Sequence, residues 1–258
     1  MSYMSLVNFT KRLGVDEQNI DDYGLVVQDA PHHDGGDTCQ RMNMLVVFYC
    51  LTNSDITFEE FENWYIYVLS LLQCPNKSNH YRRHPATVRW YSDCDRLSID
   101  QGSALVIGMG FLRLNGRLRG FLWEQVKRFG FMTNTRGNGA LAEKQIPDFG
   151  FRPEMIAHYI RGFRIKWLLP ILWACDLETL GSSILWRFRS DKSSTDVLNH
   201  TISCLYGATI MPTPINKLAR RILPAETIQR KFDIYFGNEG PNFNELFSPL
   251  IKAYFGRK

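Results

Sequence analysis

Asp34 and Asp37 enclose two glycines in "QDAPHHDGGDTCQR", and Asp93 and Asp95 enclose a cysteine in "YRRHPATVRWYSDCDRLSIDQ". The two glycines let the backbone approach a ligand closely, and Asp93 and Asp95 are close enough in sequence to interact, which can raise the pKa of one of them. A protonated and an ionised carboxyl facing each other across a cleft are what glycoside hydrolysis requires. Asp37 stands at the start of an apolar helical run. As an N-cap it accepts backbone N–H bonds and stays ionised. Asp95 lies outside any cap and beside Asp93, so its proton is held more tightly. The expected roles are Asp95 as acid and Asp37 as base or electrostatic partner. Carboxyls about 5–5.5 Å apart make such a pair retaining, and about 6.5–9.5 Å inverting.

The same segments hold the expected substrate contacts: Asp34, Arg41, Arg83, His84, Trp90, Tyr91, Asp93 and Arg96. Guanidinium forks grip carboxylate or phosphate groups, and aromatic faces stack on sugar rings. The plainer alternative is that each aspartate caps a turn or pairs with Arg41, Arg83 or Arg96. His32, His33 and His84 show no HxxxH or HExxH spacing, so no metal is expected. "TNTRGNG" lacks the GK[ST] ending of a phosphate loop, and no cofactor is expected. Ser182 and Ser183 sit in no nucleophile-elbow pattern. Asp176 and Glu178 interrupt an apolar helix, and acids buried there need partners, which Arg161 or Arg164 can supply.

Helices must position these residues. Asp37 with Gln40 opens the apolar "TCQRMNMLVVFYCL". Thr57 and Glu60 form a capping box before an amphipathic helix with Phe58, Phe61, Tyr65, Val68 and Leu72 on one face. Ser98 and Gln101 form a second box before "GSALVIGMGFLRL", and "FLWEQVKRFG" follows after a short turn. A third pair is expected over 153–167 and 170–188, and a further helix from a Ser193/Asp196 cap. Strand alternation is confined to "YGLVVQDA" and "KFDIYFG".

Long segments at 14–36, 74–97 and 130–152 precede the apolar helices, whereas the links within pairs are short. That rhythm gathers the long loops on one rim. The expected fold is all-α: antiparallel helix pairs in an incomplete α/α-toroid-like array. One helical domain covers 1–258, with 1–36 as an N-terminal arm and first rim loop.

Thirty basic residues against 26 acidic ones leave a formal charge of +4 with no basic stripe, so a nucleic-acid partner is not expected. Hydrophobic residues, at 45%, suffice for a large core. No apolar stretch approaches the about 20 residues of a membrane span, and none is expected. Six cysteines without a CxxC are expected to be free thiols, which goes with a cytoplasmic location, in a host cell for a phage protein, or with a virion.

The run "YRRHP…WYSDCDRLSIDQ…TNTRGNG" resembles a family of uncharacterised helical proteins found in bacteriophages and bacteria, over residues 30–190. That likeness implies no activity and no catalytic residue. The acidic loops at the starts of inner helices are also similar to the rim of α/α-toroid glycosidases and polysaccharide lyases, although this chain is shorter than a complete toroid. Two functions follow as expectations. One is a rim site that binds a carbohydrate or other anionic glycan or polar small molecule, and hydrolyses it. The other is a non-catalytic bacteriophage structural or assembly protein, whose rim charges pair with other virion proteins. An enzyme should hold its aspartates in a cleft, whereas an assembly protein should expose an apolar patch of several hundred Å².

Overall fold

The computed structural model describes residues 3–13, 15, 17–27, 38–51, 55–86, 97, 99–129, 153–188 and 210–222. These residues form an all-α structure: α1 (Tyr3–Arg12), α2 (Thr38–Leu51), α3 (Phe58–Leu72), α4 (Ile99–Phe111), α5 (Asn115–Phe129), α6 (Pro153–Gly162), α7 (Leu169–Phe188) and α8 (Pro214–Ile222). The "YGLVVQDA" alternation yields a single bridge, Ile20 to Val26, and no strand occurs among the described residues. Ser98 and the helix expected after Ser193 lie outside the described residues.

The Thr57 box forms as the sequence requires. The Thr57 hydroxyl accepts the Glu60 N–H, and the Glu60 carboxylate accepts the Thr57 N–H at 2.9 Å. These bonds to Thr57, backbone first, hold the Glu60 carboxyl below its ordinary range. α3 then buries Phe61, Trp64, Tyr65, Val68, Leu69 and Leu72, while Phe58 stays exposed before the first inward turn. The N-terminal residues are part of this core: Leu6, Val7 and Phe9 of α1 are buried, and Phe9 stacks on Trp64 with centroids 5.5 Å apart.

α4 is the hub. Every residue from Gln101 to Gly110 is buried, as expected of a helix apolar on all sides. It packs against α2 on one side and α6 on the other, and α6 packs in turn on α7 and α7 on α8. On the α2 side, the Tyr65 hydroxyl bonds the Asn43 side chain, and both stand against Gly108, where a Cβ would lie 2.3 Å from the Tyr65 oxygen. On the α6 side, the Ser103 hydroxyl donates to the Met155 sulfur at 3.0 Å, and a Cβ on Gly110 would lie 2.4 Å from Cα of Gly162. Ser103 to Gly110 and Met155 to Gly162 are equal steps in the same direction, so α4 and α6 run parallel.

Both helices also stop in the same way. The Leu114 N–H reaches the Met109 carbonyl at 2.9 Å, and the Ile165 N–H reaches Ile160 at 3.0 Å. Each closure passes through an arginine at positive φ, Arg113 and Arg164, both at 56°. This is the Schellman stop, made here without the usual glycine. It ends α6 at Gly162, several residues short of the 167 expected from the sequence.

By length and composition alone, Lys166–Leu185 is long and apolar enough to cross a membrane, a test that the core helix of a packed domain also passes. The free-thiol expectation is corrected at Cys74, which is disulfide-bonded, while Cys39 and Cys175 are buried thiols outside any disulfide. Cys74 sits just after α3 in a turn closed by its N–H to the His80 carbonyl at 2.8 Å, and no sequence spacing announces its pairing.

Two outcomes follow. Gly110→Ala should lower unfolding free energy by about 1–3 kcal/mol in urea titration, since backbone rather than a flexible side chain blocks the new methyl. Thiol titration of the denatured, unreduced chain should find fewer than the six cysteines, and a reductant should restore all six.

Candidate functional site

Of the expected site residues, Asp34, Asp37, Trp90, Tyr91, Asp93, Asp95 and Arg96 lie outside the described residues. The other three are placed. Arg41, in the first turn of α2, is buried at 2% exposure. Arg83 is half-buried in the segment after α3. His84 is buried, and its bonding is specific. The Ala86 N–H donates to His84 Nδ1 at 2.9 Å, so that nitrogen is an acceptor. Nε2 then carries the proton and donates to Asp21 Oδ2 at 2.5 Å. The other Asp21 oxygen accepts the N–H groups of Tyr23 and Leu25, each at 2.9 Å. Tyr23 meets the imidazole edge-on, with centroids 5.3 Å apart. Both ring nitrogens are therefore committed inside the fold. His84 joins the 21–25 turn to the segment after α3, and its partner Asp21 had no mark in the sequence.

Arg82 anchors the same segment, donating through Nη2 to the Leu71 carbonyl at 3.1 Å, and burial lowers its pKa. Among the described residues no group of His, Cys, Asp and Glu could hold a metal ion.

The polar centre of the described residues lies elsewhere, between α6, α7 and α8. Arg161 of α6 and Asp176 of α7 are wholly buried. The Arg161 Nη2 group donates to both Asp176 oxygens, at 2.6 and 2.7 Å, and to Asn216 Oδ1 of α8 at 2.5 Å. Its Nε reaches the Met211 carbonyl at 3.4 Å. Thr213 completes the set. Its hydroxyl donates to Asp176 Oδ2 at 2.6 Å and accepts the Asn216 N–H at 3.2 Å, so it caps α8 while satisfying the carboxylate. Pro214 follows in the first helical position, where its missing N–H costs nothing. Of the two arginines the sequence offered, Arg161 is thus the one that holds Asp176. Beside it, burial and then the charges of Asp176 and Glu178 push the Cys175 thiol up.

This cluster fixes the rotation of α7, and the result is inverted relative to a water-facing helix. The inward face carries Leu172, Cys175, Asp176, Thr179 and Ser183. The Ser183 hydroxyl donates to the Thr179 carbonyl at 2.8 Å, closing part of that polar row within the helix. Large apolar side chains of α7 point outward: Ile171, Trp173, Leu177, Ile184, Leu185 and Phe188, the last at 80% exposure, and Trp167 in the 3-10 turn just before the helix is 79% exposed. Lone exposed apolar residues are ordinary, whereas a contiguous face of this size marks a contact surface. The sequence held one signal of it: Asp176, Thr179 and Ser183 recur at helical spacing, so the polar stripe and the apolar stripe of one helix were both visible.

Asp176→Asn should cost about 3–5 kcal/mol in urea unfolding, because it leaves the Arg161 charge buried without its counter-ion. The double variant Arg161→Met with Asp176→Leu should recover most of that loss, since it removes both charges together. A double variant no more stable than Asp176→Asn would show that the polar bonds themselves, rather than charge balance, hold the helices.

Comparison of the chain with protein-family models, with curated proteins and with solved structures finds no match, so the geometry of this cluster and of the face above it is what bears on function.

Proposed function

We propose that this chain is a non-catalytic assembly protein that binds another protein through the outer face of α7. The observation that carries the reading is the inversion of α7, with Asp176 and its hydroxyl neighbours inside and six large apolar side chains outside, next to the exposed Trp167. A membrane-spanning role fits less well. Asp176 sits near the middle of Lys166–Leu185 and is bonded to two other helices, which ties this segment into a packed three-helix unit.

The glycan reading has less behind it. His84, one of its substrate contacts, has both ring nitrogens engaged by Asp21 and Ala86, and Arg41 is buried. The parallel run of α4 and α6, with α5 between them in sequence, supports an array of helix pairs similar to part of an α/α toroid. In the assembly reading that array is a scaffold. It presents α7 to the partner, with other virion proteins as the class of partner that the family likeness suggests.

Leu177→Arg and Leu185→Arg should each change the stability of the dilute chain by no more than about 0.5 kcal/mol, because neither side chain is part of the buried core. Losses above about 2 kcal/mol would mean that the chain itself covers this face, and the assembly reading would fall. Incubation with soluble polysaccharides should release no reducing ends. Release that disappears in Asp37→Asn or Asp95→Asn would return the glycan hydrolase reading.

A further inference from the structure

We propose that α7 pairs antiparallel with α7 of a second copy of this chain, about a two-fold axis passing between Leu177 and Glu178. The inference rests on the assembly reading and names its partner. Three observations point to a like partner rather than an unlike one.

The first is spacing. Ala174, Gly181 and Phe188 recur at every seventh residue along the exposed face of α7, and Trp167 stands in the 3-10 turn just before it. Turning the helix over about the 177/178 midpoint sets Ile171 against Ile184 of the second copy, Ala174 against Gly181, Trp173 against Ser182 and Leu177 against Glu178, with Trp167 at the same end as Phe188. Two of these pairs, Ile171 with Ile184 and Ala174 with Gly181, are matched in size. An isologous contact needs this self-complementarity, because every residue pair occurs twice.

The second is close approach. Among the described residues a Cβ at Gly181 would meet nothing within 4 Å, so packing among them does not explain the glycine. A glycine inside a helix costs about 1 kcal/mol relative to alanine. Facing Ala174 of a second copy, it lets the two helix backbones come together at the middle of the contact.

The third is area. From the 150–250 Å² that an aromatic side chain presents, and the fractional exposures of the seven large side chains, this face leaves on the order of 700 Å² of apolar surface open. A standard interface takes about 800 Å² from each partner. A single helix face thus supplies most of one side of a stable dimer.

Sedimentation velocity on the full chain across a dilution series tests this. The expected result is a species of twice the chain mass that dissociates on dilution. Gly181→Arg should weaken it at least about thirtyfold while leaving the far-ultraviolet helix signal unchanged. A dimer that persists in Gly181→Arg lies on another face and overturns the proposal. A monomer at every concentration also overturns it, and the stability of Leu177→Arg and Leu185→Arg in that monomer then decides the wider reading. Unchanged stability leaves assembly standing with a different protein as partner. A large loss of stability means that the chain covers its own helix, and both readings fall. Co-flotation of the monomer with phosphatidylcholine vesicles would assign the face to lipid and overturn both as well.

Discussion

The Arg161–Asp176 pair is the constraint from which the α6–α7–α8 unit follows. Two wholly buried charges are tolerated when each is neutralised by the other and most of their remaining bonding capacity is filled. The carboxylate is served by Arg161 and Thr213, and the guanidinium through Nη2 and Nε by Asp176, Asn216 and the Met211 carbonyl, while Nη1 has no hydrogen-bond partner among the described residues. Three helices must therefore meet at one point and in one rotation. Turning α7 to bury Leu177 and Leu185 would carry Asp176 away from Arg161 and expose or strand both charges. The apolar outer face is thus the consequence of a polar inner one.

The rest of the structure holds α6 where this pair needs it. Gly110 and Gly162 bring α4 and α6 close enough to fix their relative position, and Ser103 against Met155 sets the register. On the other side of α4, Asn43, Tyr65 and Gly108 lock α2 and α3 to it. Burial pushes the Tyr65 hydroxyl up, which favours the protonated form that donates to Asn43. Shape on one face of α6 and charge on the other together determine where α7 lies and what it shows to solvent.

Several of these features were legible in the sequence and others were not, for physical reasons. An acid inside an apolar helix demands a partner, so Asp176 pointed to the preceding helix before any coordinates. The Thr57 box was equally plain, because its residues and their spacing are the mechanism. The end of α6 was not legible: Arg164 adopts the left-handed conformation that glycine or asparagine usually announces. The bond between His84 and Asp21 joins residues far apart in sequence, and neither carries a mark of the other. Cys74 gave no spacing rule for its pairing. The face of α7 was half legible. Its composition suggested burial, but composition does not say which side of a helix the core will take, and here the polar side was taken inward. Of the expected catalytic residues, both Asp37 and Asp95 fall outside the described residues.

The account depends on Arg161 being held rigidly by Asp176 out of water, and arginine-selective nitrogen NMR observes that directly. One guanidinium should show separate, slowly exchanging Nη proton signals near neutral pH. They should disappear in Arg161→Lys and collapse to a single averaged signal in Asp176→Asn. If no Arg161-dependent signal is resolved, or if Asp176→Asn leaves it unchanged, the buried pair does not set the rotation of α7. The apolar face would then need another cause.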